Sequence, residues 1–160
     1  MDREKFVKHY GSLYENSSHV AIEIYELHKL DTLSPLEILN LMKDYVNGMD
    51  YECKMRLILE HPELGIKKGQ RKNLTTHSKK EQKRAGLDSL TDSEYNLLSE
   101  LNKEYMNKFK FPFIIAVSGL TKEEVYRNIQ VRLKNNVEVE FHKAIEEIHK
   151  IAEIRLKSLP

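Results

Sequence analysis

Two side chains sit where an ordinary helical pattern would not put them, and each is capable of chemistry. His61 closes the apolar run Leu57-Ile58-Leu59 and is followed at once by Pro62. Proline crowds the residue before it out of the helical region, so a helix ends there and the imidazole projects from its C-terminal end. The partial negative charge of that end favours a protonated ring, in a group already poised near neutral pH. Such a ring either caps its helix or works as a general acid–base group. Arg155 extends the apolar stripe Phe141, Ala144, Ile145, Ile148, Ile151 and Ala152, which repeats at helical spacing. Its guanidinium either snorkels to water at the helix end or offers a planar fork to a carboxylate or carbonyl oxygen. Left unpaired in the interior, that charge would cost several kcal/mol.

The other candidates have plainer explanations. Ser78 and Glu81 have the spacing of a capping box, in which a hydroxyl and a carboxylate three residues apart satisfy the free N–H groups of a helix start. The same spacing recurs at Ser34/Glu37, Thr91/Glu94 and Thr121/Glu124. No metal-binding motif is present, and His142 and His149, two turns apart on a mostly polar face, read as surface residues. Phosphate-binding glycine loops, a GxSxG elbow and a Cys/His dyad are absent too. Cys53 is the only cysteine. It allows no intrachain disulfide and reads as a small core residue.

The elements that must position these groups are helical almost throughout. Pro35 falls at the first helical position after Ser34, where its missing N–H does no harm. Apolar residues recur at helical spacing, as in Leu41, Met42, Tyr45 and Met49, or Leu97, Leu98, Leu101 and Tyr105. Gly65 and Gly86 are placed to stop helices. Phe109 to Val117 breaks the pattern, being an apolar run interrupted by Pro112. A lone strand would have nothing to pair with, so an extended, buried loop is expected. Its backbone polar groups then need partners from side chains or from a ligand. Lys67 to Thr76, polar and containing Gly69, reads as a connection. The expectation is an all-α, single-domain, irregular bundle over residues 1–160, with about seven or eight helices and one buried extended loop.

Composition narrows the class of function. The chain has 160 residues, 40% hydrophobic and 32% charged, with a formal net charge of +1. Such a balance suits a soluble globular domain and argues against a nucleic-acid partner. The basic stretch Lys67-Lys68 to Lys72, continued by Lys79, Lys80, Lys83 and Arg84, reads as a solvated face that could steer a small anion. No signal peptide or membrane-spanning stretch is evident, so no membrane partner is expected, and a cytoplasmic location follows by default.

Several segments, in order, resemble the 2-oxo-4-hydroxy-4-carboxy-5-ureidoimidazoline (OHCU) decarboxylase family. His61-Pro62-Glu63-Leu64 is similar to its HP(D/E)L motif. Ser78-x-x-Glu81-Gln82 followed by Ala85-Gly86-Leu87-Asp88 is similar to its SxxEQ…AGLD block. Leu101-Asn102-x-x-Tyr105-x-x-Lys108-Phe109 and Phe111-Pro112-Phe113 resemble its LNxxYxxKFGFPF stretch, with Lys110 in place of the usual glycine. Arg132-Leu133-x-Asn135, Glu140-x-x-x-Ala144 and Arg155-Leu156 resemble its closing helix. Tyr10-Gly11-Ser12 and Glu15-Asn16-Ser17 match its N-terminal G-x-x-x-E-x-S more loosely. Ser18-His19 replaces its usual Pro-Trp.

The resemblance implies decarboxylation of OHCU to (S)-allantoin and CO2, a step of urate degradation in purine catabolism, by a cofactor-independent lyase. The substrate's C=N bond, adjacent to the carbon bearing the carboxylate, supplies the electron sink, so no organic cofactor or metal is expected. His61 and Glu81 are the implied catalytic residues. Pro62, Ser78, Gln82, Phe113, Ile114, Ile115, Ala116, Val117 and Arg155 are the implied substrate contacts. The implied partner is the small ureidoimidazoline, and a homodimer is compatible with this reading. A non-catalytic helical binding module and a lyase for a related ureide are the alternatives.

Overall fold

The computed structural model describes residues 1–65 and 75–160. The expected basic stretch Lys67-Lys68 to Lys72, and with it most of the connection placed at Lys67 to Thr76, lies outside the described residues. Among the described residues there are eight helices: α1 (Arg3–Tyr10), α2 (His19–Leu27), α3 (Pro35–Asn47), α4 (Tyr51–Leu59), α5 (Thr76–Arg84), α6 (Asp92–Phe109), α7 (Lys122–Arg132) and α8 (Val137–Lys157). The described residues contain no strand. None of their helices is long and apolar enough to cross a membrane.

Caps start these helices where the local chemistry provides an acceptor. Capping boxes form at Ser34/Glu37, Thr91/Glu94 and Thr121/Glu124, each hydroxyl accepting from the amide three residues on while the glutamate reaches back. Ser78 and Glu81 do not form the expected fourth box. The cap of α5 is Thr75, whose Oγ1 accepts from the Ser78 amide at 3.2 Å, so Ser78 is already inside the helix. Three residues of slippage release the Ser78 hydroxyl and the Glu81 carboxylate for tertiary contacts. Gly86, at a φ of +77°, does follow the end of α5, and the Leu87 amide returns to the Gln82 carbonyl at 2.9 Å. Gly65 does not stop a helix, because α4 ends five residues earlier with Glu60 as its cap.

Helix α8 is the axis of the packing, lying against α3, α4 and α6, while α1, α2 and α3 pack in sequence along one side. Its buried stripe, Phe141, Ala144, Ile145, Ile148 and Ala152, faces the core as its spacing predicts. Beside it, Phe109, Phe111 and Phe113 gather around Tyr105, with ring centroids 4.4, 5.9 and 5.3 Å from the tyrosine ring. Cys53 is exposed, contrary to the expected core position, because the first turn of α4 lies at the surface and that helix buries only Leu57 and Ile58. His149 is also corrected. It is half-buried, bridging the Tyr14 hydroxyl and the Asn47 side chain at 2.9 Å each, while His142 is exposed as expected.

The extended loop is present, though it begins later than the apolar run suggests. Phe109 is the last residue of α6, and Lys110 ends that helix in the left-handed conformation at a φ of +67°. Residues 111–117 then continue without regular structure and are buried apart from the half-exposed Ala116. A side chain with a Cβ is strained at such a φ, by about 1–2 kcal/mol, which is why glycine suits this helix end. Lys110→Gly should therefore raise stability by about 1 kcal/mol, or roughly 2–4 °C in Tm. Thermal unfolding followed by circular dichroism would show this, and a lowered Tm would mean that Lys110 makes compensating contacts.

Candidate active site

The end of α4, helix α5, the 111–117 loop and the last turns of α8 surround one cavity. It encloses about 500 Å³ of empty space, counting the solvent at its mouth. His61, Pro62, Ser78, Glu81, Gln82, Phe113, Ile114, Ile115, Ala116, Val117 and Arg155 all line it, joined by Leu64, Ser118, Ile151 and Ile154. The residues singled out from sequence thus meet on one concave surface, although they span nearly a hundred positions of chain. Among the described residues, no cluster of three or more His, Cys, Asp or Glu side chains could hold a metal ion.

Arg155 is the centre of the polar side. It does not snorkel to water, being 2% exposed. Its Nε and Nη2 donate to the two oxygens of Glu81 at 3.0 and 2.9 Å, the bidentate geometry that a planar fork allows. Nη1 reaches the Ser12 carbonyl at 3.2 Å, and Nη2 also lies 3.2 Å from Ser78 Oγ and 3.4 Å from Glu15. Burial opposes the charge, but Glu81 and Glu15 outweigh it and raise the Arg155 pKa. Each of its three nitrogens has a protein oxygen as partner.

Glu15 is the residue that sequence reasoning left out of the site. It is 1% exposed and lies in the irregular segment between α1 and α2. One carboxylate oxygen accepts from Ser78 Oγ and the other from Thr75 Oγ1, so Glu15 ties the start of α5 to Arg155. No periodicity marks it, since it lies outside any helix. Its only signal is its place in the G-x-x-x-E-x-S resemblance.

His61 differs in charge state from the expectation. The helix end predicts a protonated ring, but burial pushes its pKa down to about 4. The Leu57 carbonyl and the Glu15 charge act the other way, and Arg155 adds to the lowering. Desolvation outweighs the helix end because the imidazole is only 6% exposed. Nδ1 lies 3.0 Å from the Leu57 carbonyl. A carbonyl can only accept, so the neutral ring carries its proton on Nδ1. Nε2 is then a bare lone pair, buried and without a partner among the described residues.

The backbone after His61 is held in a tight turn. The Gly65 amide donates to Gln82 Oε1 at 3.0 Å, Gln82 Nε2 donates to the Glu63 carbonyl at 3.4 Å, and Asn102 Nδ2 donates to the Leu64 carbonyl at 3.0 Å. Gln82 thus shapes the wall around Pro62. Gly65 has a φ of +68°, and an added Cβ would come within 2.3 Å of the Leu98 side chain, so glycine is required there. Across the cavity, the 111–117 loop finds part of its polar satisfaction in side chains. Arg132 Nη1 donates to the Ile114 carbonyl at 2.6 Å, and the Ala116 amide donates to Glu147 at 3.1 Å. Among the described residues, the amides of Ile115 and Val117 have no protein acceptor.

Comparison with known proteins agrees with this geometry. The sequence profile described as OHCU decarboxylase matches residues 1–157. The chain is 39% identical, over 99% of its length, to the "Uric acid degradation bifunctional protein" of Bacillus sp. (strain TB-90), of which it spans 30%. It is 33% identical over 98% of its length to the 2-oxo-4-hydroxy-4-carboxy-5-ureidoimidazoline decarboxylase of Haloferax volcanii, of which it spans 89%. So the chain spans under a third of the bifunctional relative and most of the shorter one. Among solved structures, an (S)-allantoin synthase superposes with a TM-score of 0.77 at 29% identity, covering 99% of this chain and 50% of that one. An OHCU decarboxylase crystallised in the presence of (S)-allantoin gives a TM-score of 0.71 at 27% identity, with 88% and 89% covered.

The charge state of His61 is open to a direct test. Nitrogen-15 spectra of the imidazole should show the Nδ1-protonated neutral form at pH 7 and still at pH 5.5, well below the ordinary midpoint near 6.5. His149, which burial and then Lys43 and Lys54 also push down to about 4, should remain neutral alongside it. Between about pH 4 and 6.5 the unfolded chain then binds more protons than the folded one. Folding stability should therefore decline as pH falls through that window. A His61 midpoint at or above 6.5 would contradict the assignment.

Proposed function

Because the chain belongs to the OHCU decarboxylase family, we propose that it converts 2-oxo-4-hydroxy-4-carboxy-5-ureidoimidazoline to (S)-allantoin and CO2. The observation that carries this reading is the unpartnered Nε2 of a neutral, buried His61, set in the same cavity as the Arg155–Glu81 pair. A buried base without a protein partner is suited to a proton that the ligand brings with it. The relatives, among them an OHCU decarboxylase and an (S)-allantoin synthase, support the same substrate and product.

The chemistry follows from the substrate's own bonds. The bond from ring carbon to carboxylate breaks, and its electron pair forms a double bond to the neighbouring, ureido-bearing carbon. The pair of the former C=N bond moves onto nitrogen, which takes a proton from solvent. His61 Nε2 accepts the hydroxyl proton as that oxygen becomes a carbonyl, and the ring double bond collapses onto the ureido-bearing carbon. The imidazolium then returns its proton to that carbon from one face, which sets the S configuration.

The remaining residues hold the substrate in place. Arg155, whose Nη1 has one partner for its two N–H groups among the described residues, offers the other to an anionic or carbonyl oxygen, and Glu81 accepts from the ureido N–H groups. Ser78 hydrogen-bonds ring or ureido atoms, while Gln82 and Pro62 shape the wall behind His61. The main chain of Phe113 to Val117 holds the ring.

The decisive measurement is the rate at which one allantoin enantiomer forms from freshly generated urate-oxidation product, followed by circular dichroism. An accelerated, single-signed signal is expected, and racemic allantoin at the spontaneous rate would sink the proposal. His61→Asn should lower turnover by roughly 10²–10⁴-fold with the fold kept. Arg155→Lys keeps the charge and loses the bidentate fork on Glu81, so it should weaken substrate use markedly, and parent-like kinetics in the lysine variant would remove Arg155 from the site.

A further inference from the structure

Behind the cavity, on the far side of the 111–117 loop, lies a second buried ion pair that contacts no part of the site's charged face. Arg132 is 4% exposed and Glu140 is fully buried. Glu140 collects three donors: Arg132 Nε at 2.7 Å, the Tyr105 hydroxyl at 2.6 Å and Asn135 Nδ2 at 2.8 Å. With its carboxylate so fully satisfied, Glu140 holds the guanidinium in one place. A buried pair of this kind is a poor source of net stability, because desolvating both charges offsets their attraction. Its effect is better sought in what it positions.

Arg132 points its remaining contacts at the loop. Nη1 donates to the Ile114 carbonyl at 2.6 Å, and the guanidinium carbon lies 4.4 Å from the centre of the Phe113 ring. Two residues further on, the Ala116 amide is held by Glu147 of α8. In extended backbone, the main-chain groups of successive residues face opposite sides. Fixing Ile114 and Ala116 outward, onto α7 and α8, turns the main chain of the residue between them the other way, and Ile115 lines the cavity.

We infer that Arg132, buttressed by Glu140, is a positioning residue for the active site. It holds the Ile114 carbonyl from behind, so that the N–H and C=O of Ile115 are presented to the substrate ring. This deepens the proposed function and rests on it for the identity of the ligand. The clamp itself is a property of the protein alone. Arg132 does not line the cavity, and its influence travels through one hydrogen bond and one ring contact.

The test uses the double variant Arg132→Met/Glu140→Gln, which removes both charges together and leaves neither buried alone. Val46→Ala, which opens a cavity in α3, is compared with it to report plain destabilisation. Hydrogen exchange read by mass spectrometry should rise in the peptide covering residues 111–118 of the double variant and not in Val46→Ala. In steady-state decarboxylation the double variant should raise KM by about tenfold or more, since a displacement of about 1 Å in a positioning element costs up to 10²-fold. Val46→Ala should keep the parent KM.

Loop exchange unchanged in the double variant, or raised equally in Val46→Ala, would overturn the clamp. Raised exchange with a parent KM would overturn its role toward substrate. A parent chain without decarboxylase activity would instead refute the proposed function. Binding of (S)-allantoin by calorimetry, weakened at least tenfold in the double variant or left unchanged, would then decide the positioning role.

Discussion

A guanidinium sealed inside a helical bundle must be matched from several directions at once, and this requirement organises the structure around Arg155. One carboxylate would leave donors unsatisfied in a site from which water is largely excluded. Glu81 therefore supplies two oxygens from α5, Ser12 a carbonyl and Glu15 a carboxylate oxygen from the α1–α2 connection, and Ser78 a hydroxyl. These contacts pull the N-terminal segment, α5 and the end of α8 together, though they are far apart in sequence. The wall of the cavity is the by-product of satisfying one charge.

The second constraint is backbone accounting. An extended apolar loop in an all-helical protein has no neighbouring strand to complete its hydrogen bonds. Arg132 and Glu147 answer for the Ile114 carbonyl and the Ala116 amide, while the amides of Ile115 and Val117 have no acceptor among the described residues. These residues line the same cavity as the bare nitrogen of His61. Polar groups without partners are costly in a folded interior and tend to persist where a ligand completes them.

His61 shows how environment overrides local structure. The end of α4 taken alone favours a charged ring, worth at most about 2 kcal/mol in a partly buried setting. Removal from water outweighs that preference, and the Leu57 carbonyl then selects which nitrogen keeps the proton. The same desolvation acts on His149, far from the cavity, where it produces a structural link between Tyr14 and Asn47 instead of a reactive group. A depressed pKa marks burial in both cases, and only the bare Nε2 facing a cavity distinguishes the one suited to chemistry.

Periodicity and caps were enough to reveal an all-α chain, the stripe of α8, three of the caps and an extended loop within Phe109 to Val117, though not its start, because each is encoded within a few neighbouring residues. The resemblance carried by short motifs was enough to name every residue that lines the cavity in a proposed role. Tertiary structure alone decided the rest. Ser78 left its capping role because Thr75, not Ser78, starts α5, and a shift of three residues is invisible to a pattern that both residues fit. Glu15 joined the site through contacts 60 and 63 residues away along the chain, which no local rule can anticipate. The state of His61 depended on depth and Cys53 on which turn of α4 reaches the surface, and burial is a property of the packed chain, not of its order.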